Sequence, residues 1–304
     1  MALEADLLLD RRRLKRRLVL WRVLAVLALV LAGLAALSQG PLAAGGIGSS
    51  QHVARVNVSG IITENRKLLE AVEALAKDSS VAAVVLSVDS PGGSVAGGES
   101  LHAALQHVAS AKPLVAVMGG VAASAGYMIS LPAARIFARD ATLTGSIGVI
   151  LETGNAAGLL EKAGLSAEAI TSGPLKDQPS FTRGLTPEGR DYLHTLVMDM
   201  FGQFVAMVAS GRHLDEARVR ELADGRAYTG KQALALGLID QIGGEPEARG
   251  WLEHESHVGA DLPIRDVKTG TLYERTVGAS LAGLWPAALT QLWSPGSALA
   301  LWRP

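Results

Sequence analysis

The chain has 304 residues, enough for one large domain or two small ones, and 49% of them are hydrophobic against 19% charged. It has no cysteine, which excludes a disulfide framework, a thiol nucleophile and a cysteine-ligated metal. Its 28 basic and 29 acidic side chains leave a formal net charge of −1, which is not the balance of a nucleic-acid binder.

The hydrophobic excess is concentrated near the N-terminus. The basic run RRRLKRR (11–17) is followed by LVLWRVLAVLALVLAGLAAL (18–37), interrupted only by Arg22. As a helix rising about 1.5 Å per residue, such a run spans roughly 30 Å, the thickness of a bilayer's hydrocarbon core. Arg22 lies near the basic end, where its long side chain can snorkel to the interface. The uncharged SQGPLAAGGIGSSQ follows, so the positive-inside rule puts the N-terminus in the cytoplasm and everything after residue 40 outside it. A cleaved signal peptide is the rival reading; no clean A-x-A site follows closely, which favours a retained anchor, and both readings export the domain. Without residues 1–22, 21 bases and 26 acids remain, so the exported part is mildly negative. The expected organisation is a basic cytoplasmic segment at 1–17, an anchor at 18–38, a linker at 39–51, a catalytic domain at 52–250 and a C-terminal arm at 251–304.

From residue 52 the pattern alternates between strand and helix. HVARVNVSGII (52–62) is β-rich, and KLLEAVEALAKD (67–78) has apolar residues at helical spacing. VAAVVLSV (81–88) is a continuous apolar run, as in a parallel strand buried on both faces. A Gly-rich turn, DSPGGSVAGG, leads into a helix over ESLHAALQHVASA, then the strand PLVAVM and the small-residue stretch GGVAASAGYM (119–128). SIGVILE (146–152) reads as a strand and AAGLLEKAG as a helix. The longest helix is expected over 186–210, with Thr186 as N-cap and Pro187 at its first position. Alternation of this kind predicts an α/β domain with a largely parallel sheet.

Ser124 sits in AASAG after a strand and before a helix start, the setting of a nucleophile elbow, although small residues around a serine also suit tight packing. At such a helix start the N–H of Ala125 is available to a developing oxyanion. DSPGG ends the preceding strand, and its glycines can offer further N–H groups to the same crevice; a tight turn also favours Pro-Gly-Gly. Of the seven histidines, at 52, 102, 107, 194, 213, 254 and 257, none lies between 108 and 193. That leaves a lysine as a candidate base, and Lys176 in TSGPLKDQPSF is set among turn residues.

DSPGGSV, MGGVAASAGYMIS, TGSIGVI and SGPLKD, in this order, resemble the signal peptide peptidase A (SppA) family of membrane-anchored serine proteases. The resemblance covers roughly residues 52 to 243. It implies a Clp/crotonase-like fold of repeated β-β-α units with a largely parallel sheet, and a Ser-Lys dyad with Ser124 as nucleophile and Lys176 as general base. It further implies that Ser146 orients the lysine and that Gly93 and Ala125 supply the oxyanion N–H groups, with no metal or cofactor. The family commonly has AASGG where this chain has AASAG. Its single-domain members form rings in which one subunit's serine meets its neighbour's lysine, so a homo-oligomer with shared sites is expected. Burial in an apolar crevice disfavours an ammonium, which is how a lysine can act as a base near pH 7, and Asp177 must then face elsewhere. The implied activity is an endopeptidase acting on apolar peptides, such as cleaved signal peptides, at the outer face of the cytoplasmic membrane. A crotonase-like acyl-CoA enzyme would need neither Ser124 nor Lys176, a Clp-type triad lacks a suitably placed histidine, and a catalytically inactive scaffold of the same fold remains an alternative.

Overall fold

The computed structural model describes residues 21–30 and 51–268, and the chain divides into two units, Met1–Gln51 and His52–Pro304. In the first unit a helix covers Trp21–Val30. The remainder of the expected anchor, the basic segment, the linker before residue 51 and the tail from 269 onward lie outside the described residues.

The second unit is built on one sheet. β1 (His52–Ile62), β2 (Val81–Gly93) and β3 (Leu114–Ala123) are its long strands, joined by α1 (Arg66–Lys77) and α2 (Val95–Ala111). After β3 come α3 (Ala125–Met128), β4 (Arg135–Ala138), β5 (Leu143–Gly145), α4 (Ala157–Lys162), α5 (Pro187–Arg212) and α6 (Glu216–Leu222). β6 (Ala227–Thr229), α7 (Gly230–Ala235), β7 (Gln241–Ile242), α8 (Glu245–Ser256) and β8 (Ile264–Asp266) complete it. The strand order is β6-β5-β3-β2-β1-β8, with β4 on β3 and β7 on β4. Every pairing is parallel except β5 with β6.

Side-chain alternation explains why the central strands read as unbroken apolar runs. Val84, Leu86 and Val88 of β2 face a core with Leu105 and Val108 of α2 and Phe204 and Val208 of α5. Ala83 and Val85 face the opposite side, against Phe137 and the α8 residues Ala248 and Leu252. Both faces of a mostly parallel sheet are covered, so neither alternate set can be polar. Local signals set the helix starts: the side chains of Asn65, Ser94 and Thr186 accept from the N–H groups of Leu68, Gly97 and Gly189, and Pro187 opens α5.

Three departures from the sequence reading bear on the site. β2 does not stop at Val88 but continues through DSPGG to Gly93, with a register irregularity opposite Ser59–Ile61. The strand expected over 146–152 is not formed: β5 ends at Gly145, because Ser146 takes a left-handed φ of 46° and its N–H turns to the Arg226 carbonyl. Residue 250 falls within α8, and β8 pairs with β1, so the sheet extends past that expected boundary.

β3 changes partner halfway along. Its first half, Val115–Val117, pairs with β4, and its second half, Val121–Ala123, pairs with β5. Side chains serve the backbone across the handover: Asp89 Oδ1 accepts from the Val121 N–H at 3.0 Å, Thr142 Oγ1 donates to the Gly119 carbonyl at 2.7 Å, and Thr144 Oγ1 to the Ala122 carbonyl at 2.7 Å. Beneath this end, the fully buried Tyr127 donates its hydroxyl to the Leu238 carbonyl at 2.8 Å, and burial pushes its phenol titration up. Arg212 at the end of α5 makes a two-pronged pair with Asp240 at 2.6 and 3.0 Å, locking the same segment. Tyr127→Phe removes the buried donor while keeping the ring, and is expected to cost about 1–2 kcal/mol in urea unfolding. Unchanged stability would show that the Leu238 carbonyl finds another donor.

Candidate active site

The chain turns from β3 into α3 at Ser124, which has φ 54° and ψ −120°. A non-glycine residue held there stores strain of order 1–3 kcal/mol, so the surroundings must fix it. Two backbone hydrogen bonds do so: the Ser124 N–H donates to the Gly145 carbonyl and its own carbonyl accepts from Met128, each at 2.9 Å. The hydroxyl is not used as a helix cap.

Small residues surround it because backbones pass too close for anything larger. A Cβ on Gly92, whose φ is +123°, would lie 2.8 Å from Ser124 Cβ and 3.2 Å from its Oγ. One on Gly126 would lie 2.9 Å from the Ser90 carbonyl, and one on Gly98 3.0 Å from Ala125 Cβ. The buried Ser90 hydroxyl pins this turn, donating to the Gly60 carbonyl at 2.6 Å and accepting from the Gly92 N–H at 3.1 Å. Gly93 ends β2 opposite Ile62, where a Cβ would collide with the Ile62 carbonyl at 1.8 Å. Ala125, the first residue of α3, has an N–H that cannot find an intrahelical partner.

Ser124 and Ser146 open on one crevice of about 450 Å³. Gly148 and Gly225 also line it, and α5 contributes the apolar wall of Val197, Met198 and Phe201. Ser146 is held by two bonds to the turn before β6, and its neighbour Ile147 by a third. The Ser146 N–H donates to the Arg226 carbonyl at 3.0 Å, its Oγ donates to the Gly225 carbonyl at 3.1 Å, and the Gly225 N–H returns to the Ile147 carbonyl at 3.2 Å. Asp224 is the one ionisable residue among those lining the crevice, and hydrogen bonding to the Arg226 guanidinium holds its carboxyl below the usual range.

Lys176 is not among the lining residues. It is exposed in the turn before α5, its N–H bonded to the Gly173 carbonyl at 3.1 Å. A single chain therefore brings Ser124 and Ser146 together and leaves Lys176 outside their crevice, so the burial expected for the lysine is not met within one chain. Asp177 is paired with Arg183, which lowers its carboxyl titration. No histidine lines the crevice; His102 is half-buried on α2 and His107 exposed. Among the described residues no group of three or more His, Asp or Glu side chains could hold a metal ion. The sequence reading missed Gly92 as the residue pressed on the serine, and Asp224–Arg226 as the brace of Ser146; an Asp-Gly pair before a strand was the available signal for the latter.

Residues 106–259 match peptidase family S49, and residues 56–147 match the Clp protease family. A candidate protease of Synechocystis sp. is 42% identical over 201 residues, 66% of this chain and 72% of the relative. A candidate signal peptide peptidase SppA of Enterococcus faecium is 35% identical over 73% of this chain and 69% of that protein. Protease 4 of Salmonella typhi is 38% identical over 55% of this chain but only 27% of its own length. Among solved structures, a ClpP1 mutant from Listeria monocytogenes aligns over 64% of this chain and 92% of its own, with 17% identity and a TM-score of 0.41.

The fit at Gly92 gives a direct check. Gly92→Ala adds a methyl against Ser124 at a backbone angle that L residues rarely adopt. Displacing the serine by even part of an ångström is expected to lower kcat on a peptide substrate at least about tenfold. Wild-type kcat in this variant would mean that the elbow does not depend on that contact.

Proposed function

The chain belongs to peptidase family S49, the SppA family, and is a serine peptidase; from that premise we propose that it works through a Ser124–Lys176 dyad assembled between neighbouring subunits. The observation that carries the nucleophile assignment is the elbow at Ser124, whose hydroxyl opens on the 450 Å³ crevice. Ser124 Oγ attacks the scissile carbonyl carbon as the neutral lysine amine takes its proton. The oxyanion of the tetrahedral intermediate accepts from the N–H groups of Gly93 and Ala125. Collapse expels the amine product, which takes the proton back from the lysine, and leaves an acyl-serine. The same lysine then deprotonates the water that releases the second product. Ser146, its own proton committed to the Gly225 carbonyl, has lone pairs free to accept from the lysine N–H and so aim the amine at Ser124.

Sharing between subunits is supported by what one chain lacks. Lys176 is exposed and outside the crevice, while the crevice holds no histidine to serve instead. A neighbour's turn segment entering there would bury its lysine against Val197, Met198 and Phe201, and that burial would favour the neutral amine. The apolar wall also suits apolar peptides, cleaved signal peptides among them. The basic run before the 18–37 apolar stretch supports an anchor with the catalytic domain on the extracytoplasmic side.

Ser124→Ala and Lys176→Ala are each expected to be inactive alone. Co-assembled in equal amounts, they should regain about a quarter of the wild-type activity per site, since each complete site needs one intact serine and one intact lysine across a heterologous interface. Verified mixed rings without activity would reject sharing. For topology, protease added to intact spheroplasts should digest the domain after residue 40; protection until the membrane is lysed would reverse the orientation.

A further inference from the structure

Beside the two serines, the crevice contains a third feature with chemical consequences. Asp224 follows α6 and precedes β6, and its carboxylate closes its own turn: Oδ1 accepts from the Arg226 N–H at 3.1 Å, and the Arg226 Nε donates to both carboxylate oxygens at 2.9 and 2.7 Å. That turn presents the two carbonyls that hold Ser146, Gly225 to its Oγ and Arg226 to its N–H. Gly225 adopts φ +87° with open space where a Cβ would stand, so it is the backbone angle and not crowding that calls for glycine. The carboxylate is thus one covalent turn away from the hydroxyl that would aim the base.

Its electrostatic setting is simple. Arg226 is the charged partner in contact with Asp224, and its guanidinium is largely exposed. On α6, Arg218 pairs with Glu221 and Arg220 with Glu216, and the Arg220 guanidinium also lies over the Phe201 ring of the crevice wall, 6.0 Å from its centroid, a fixed charge that is the same in all the variants below. The α5 side of the crevice is apolar, with Val197, Met198 and Phe201, and Tyr228 on β6 spends its hydroxyl on the Leu222 carbonyl. An amine that gains a proton in this crevice therefore has one acidic group among the lining residues to balance it.

We infer that Asp224 is a positioning residue for the peptidase reaction, holding Ser146 through the 224–226 turn and supplying the negative charge that offsets the ammonium formed on the general base. The inference rests on the lysine reading given above. The opposing demands are visible in the pair with Arg226: a bare carboxylate would keep the lysine protonated and idle, and no carboxylate would leave its protonated form in the transition state without compensation. An Arg226 guanidinium open to solvent gives an intermediate setting, with the field of Asp224 attenuated but not cancelled.

The test is the pH dependence of kcat/KM on a chromogenic apolar peptide, across about pH 6 to 10, with the full-length protein in detergent or membranes. Asp224→Asn keeps an oxygen for the Arg226 N–H and loses the charge. Its alkaline plateau kcat should fall about threefold or more, because the ammonium formed in the transition state loses its counter-charge, while the acid limb moves down by about half a pH unit, since the free amine is then easier to deprotonate. Arg226→Gln keeps the backbone carbonyl that Ser146 uses and unmasks the carboxylate, so its limb should move up by about the same amount. Asp224→Ala loses turn and charge together, and its plateau kcat should fall about tenfold or more. A structural role alone would not move the limb in opposite directions in two folded variants. Limbs that stay in place, or that move the same way in both, overturn the inference. Lys176→Arg is the control that separates the two readings: activity there would sink the dyad itself, whereas a dead Lys176→Arg with immobile limbs would sink only the part assigned to Asp224.

Discussion

The close approach of Gly92 to Ser124 is the constraint on which the rest of the site depends. A serine at positive φ is held only where neighbouring backbone leaves it no alternative, and here that backbone comes from two sides. β2 runs on past its apolar stretch so that the DSPGG segment lies against the serine side chain, and β5 ends at Gly145 so that its carbonyl receives the serine N–H. The strands on either side of β3 therefore both terminate at the site. The strain stored at the elbow, of order 1–3 kcal/mol, is offset by ordinary ladder and turn hydrogen bonds worth about as much each when buried.

That arrangement requires β3 to be straight and firmly placed, yet β3 loses one edge partner and gains another at Gly119–Gly120. Asp89, Thr142 and Thr144 fill the gap with side-chain hydrogen bonds, and two of those three side chains are buried. Polar groups so placed are costly unless satisfied, and each of these is satisfied by a backbone group of β3 itself. Below the elbow, Tyr127 and the Arg212–Asp240 pair tie α3 and the end of α5 to the segment before β7. The apolar wall on α5 and the serine on β3 are thereby fixed to the same frame, as a specific crevice requires.

The central strands, the capped helices and the Ser124 turn were legible in the sequence, because each is specified by neighbours a few positions away. The β-branched apolar run from Val81 to Val88 reads as a strand covered on both faces, and Thr186-Pro187 combines a favoured N-cap with a favoured first helical residue. What was not legible depends on residues far apart in the chain. SIGVILE has the composition of a strand and fails to form one because Ser146 is captured by a turn some 80 residues later, through the Gly225 and Arg226 carbonyls. The domain expected at 52–250 stops short of the sheet, because β8 pairs with β1 by a contact spanning more than two hundred positions. Lys176 is the opposite case: motif resemblance picked it out, while among the described residues of one chain it lies outside the serine's crevice.

That separation has a mechanistic meaning on the proposed reading. A protomer with Ser124 poised but no base at hand would cut nothing during synthesis and export, since an unactivated serine hydroxyl is a poor nucleophile at neutral pH. Assembly would then supply in one step the base and the burial that keeps it neutral, two changes that reinforce one another against the apolar wall the receiving subunit already carries. Ser146 is oriented by its bond to Gly225 within one chain, so on this reading an incoming amine would meet a fixed acceptor and little rearrangement of the receiving subunit would be needed. The fold would thus place the slow, concentration-dependent event of subunit docking ahead of catalysis, and leave the chemistry itself to a preorganised crevice.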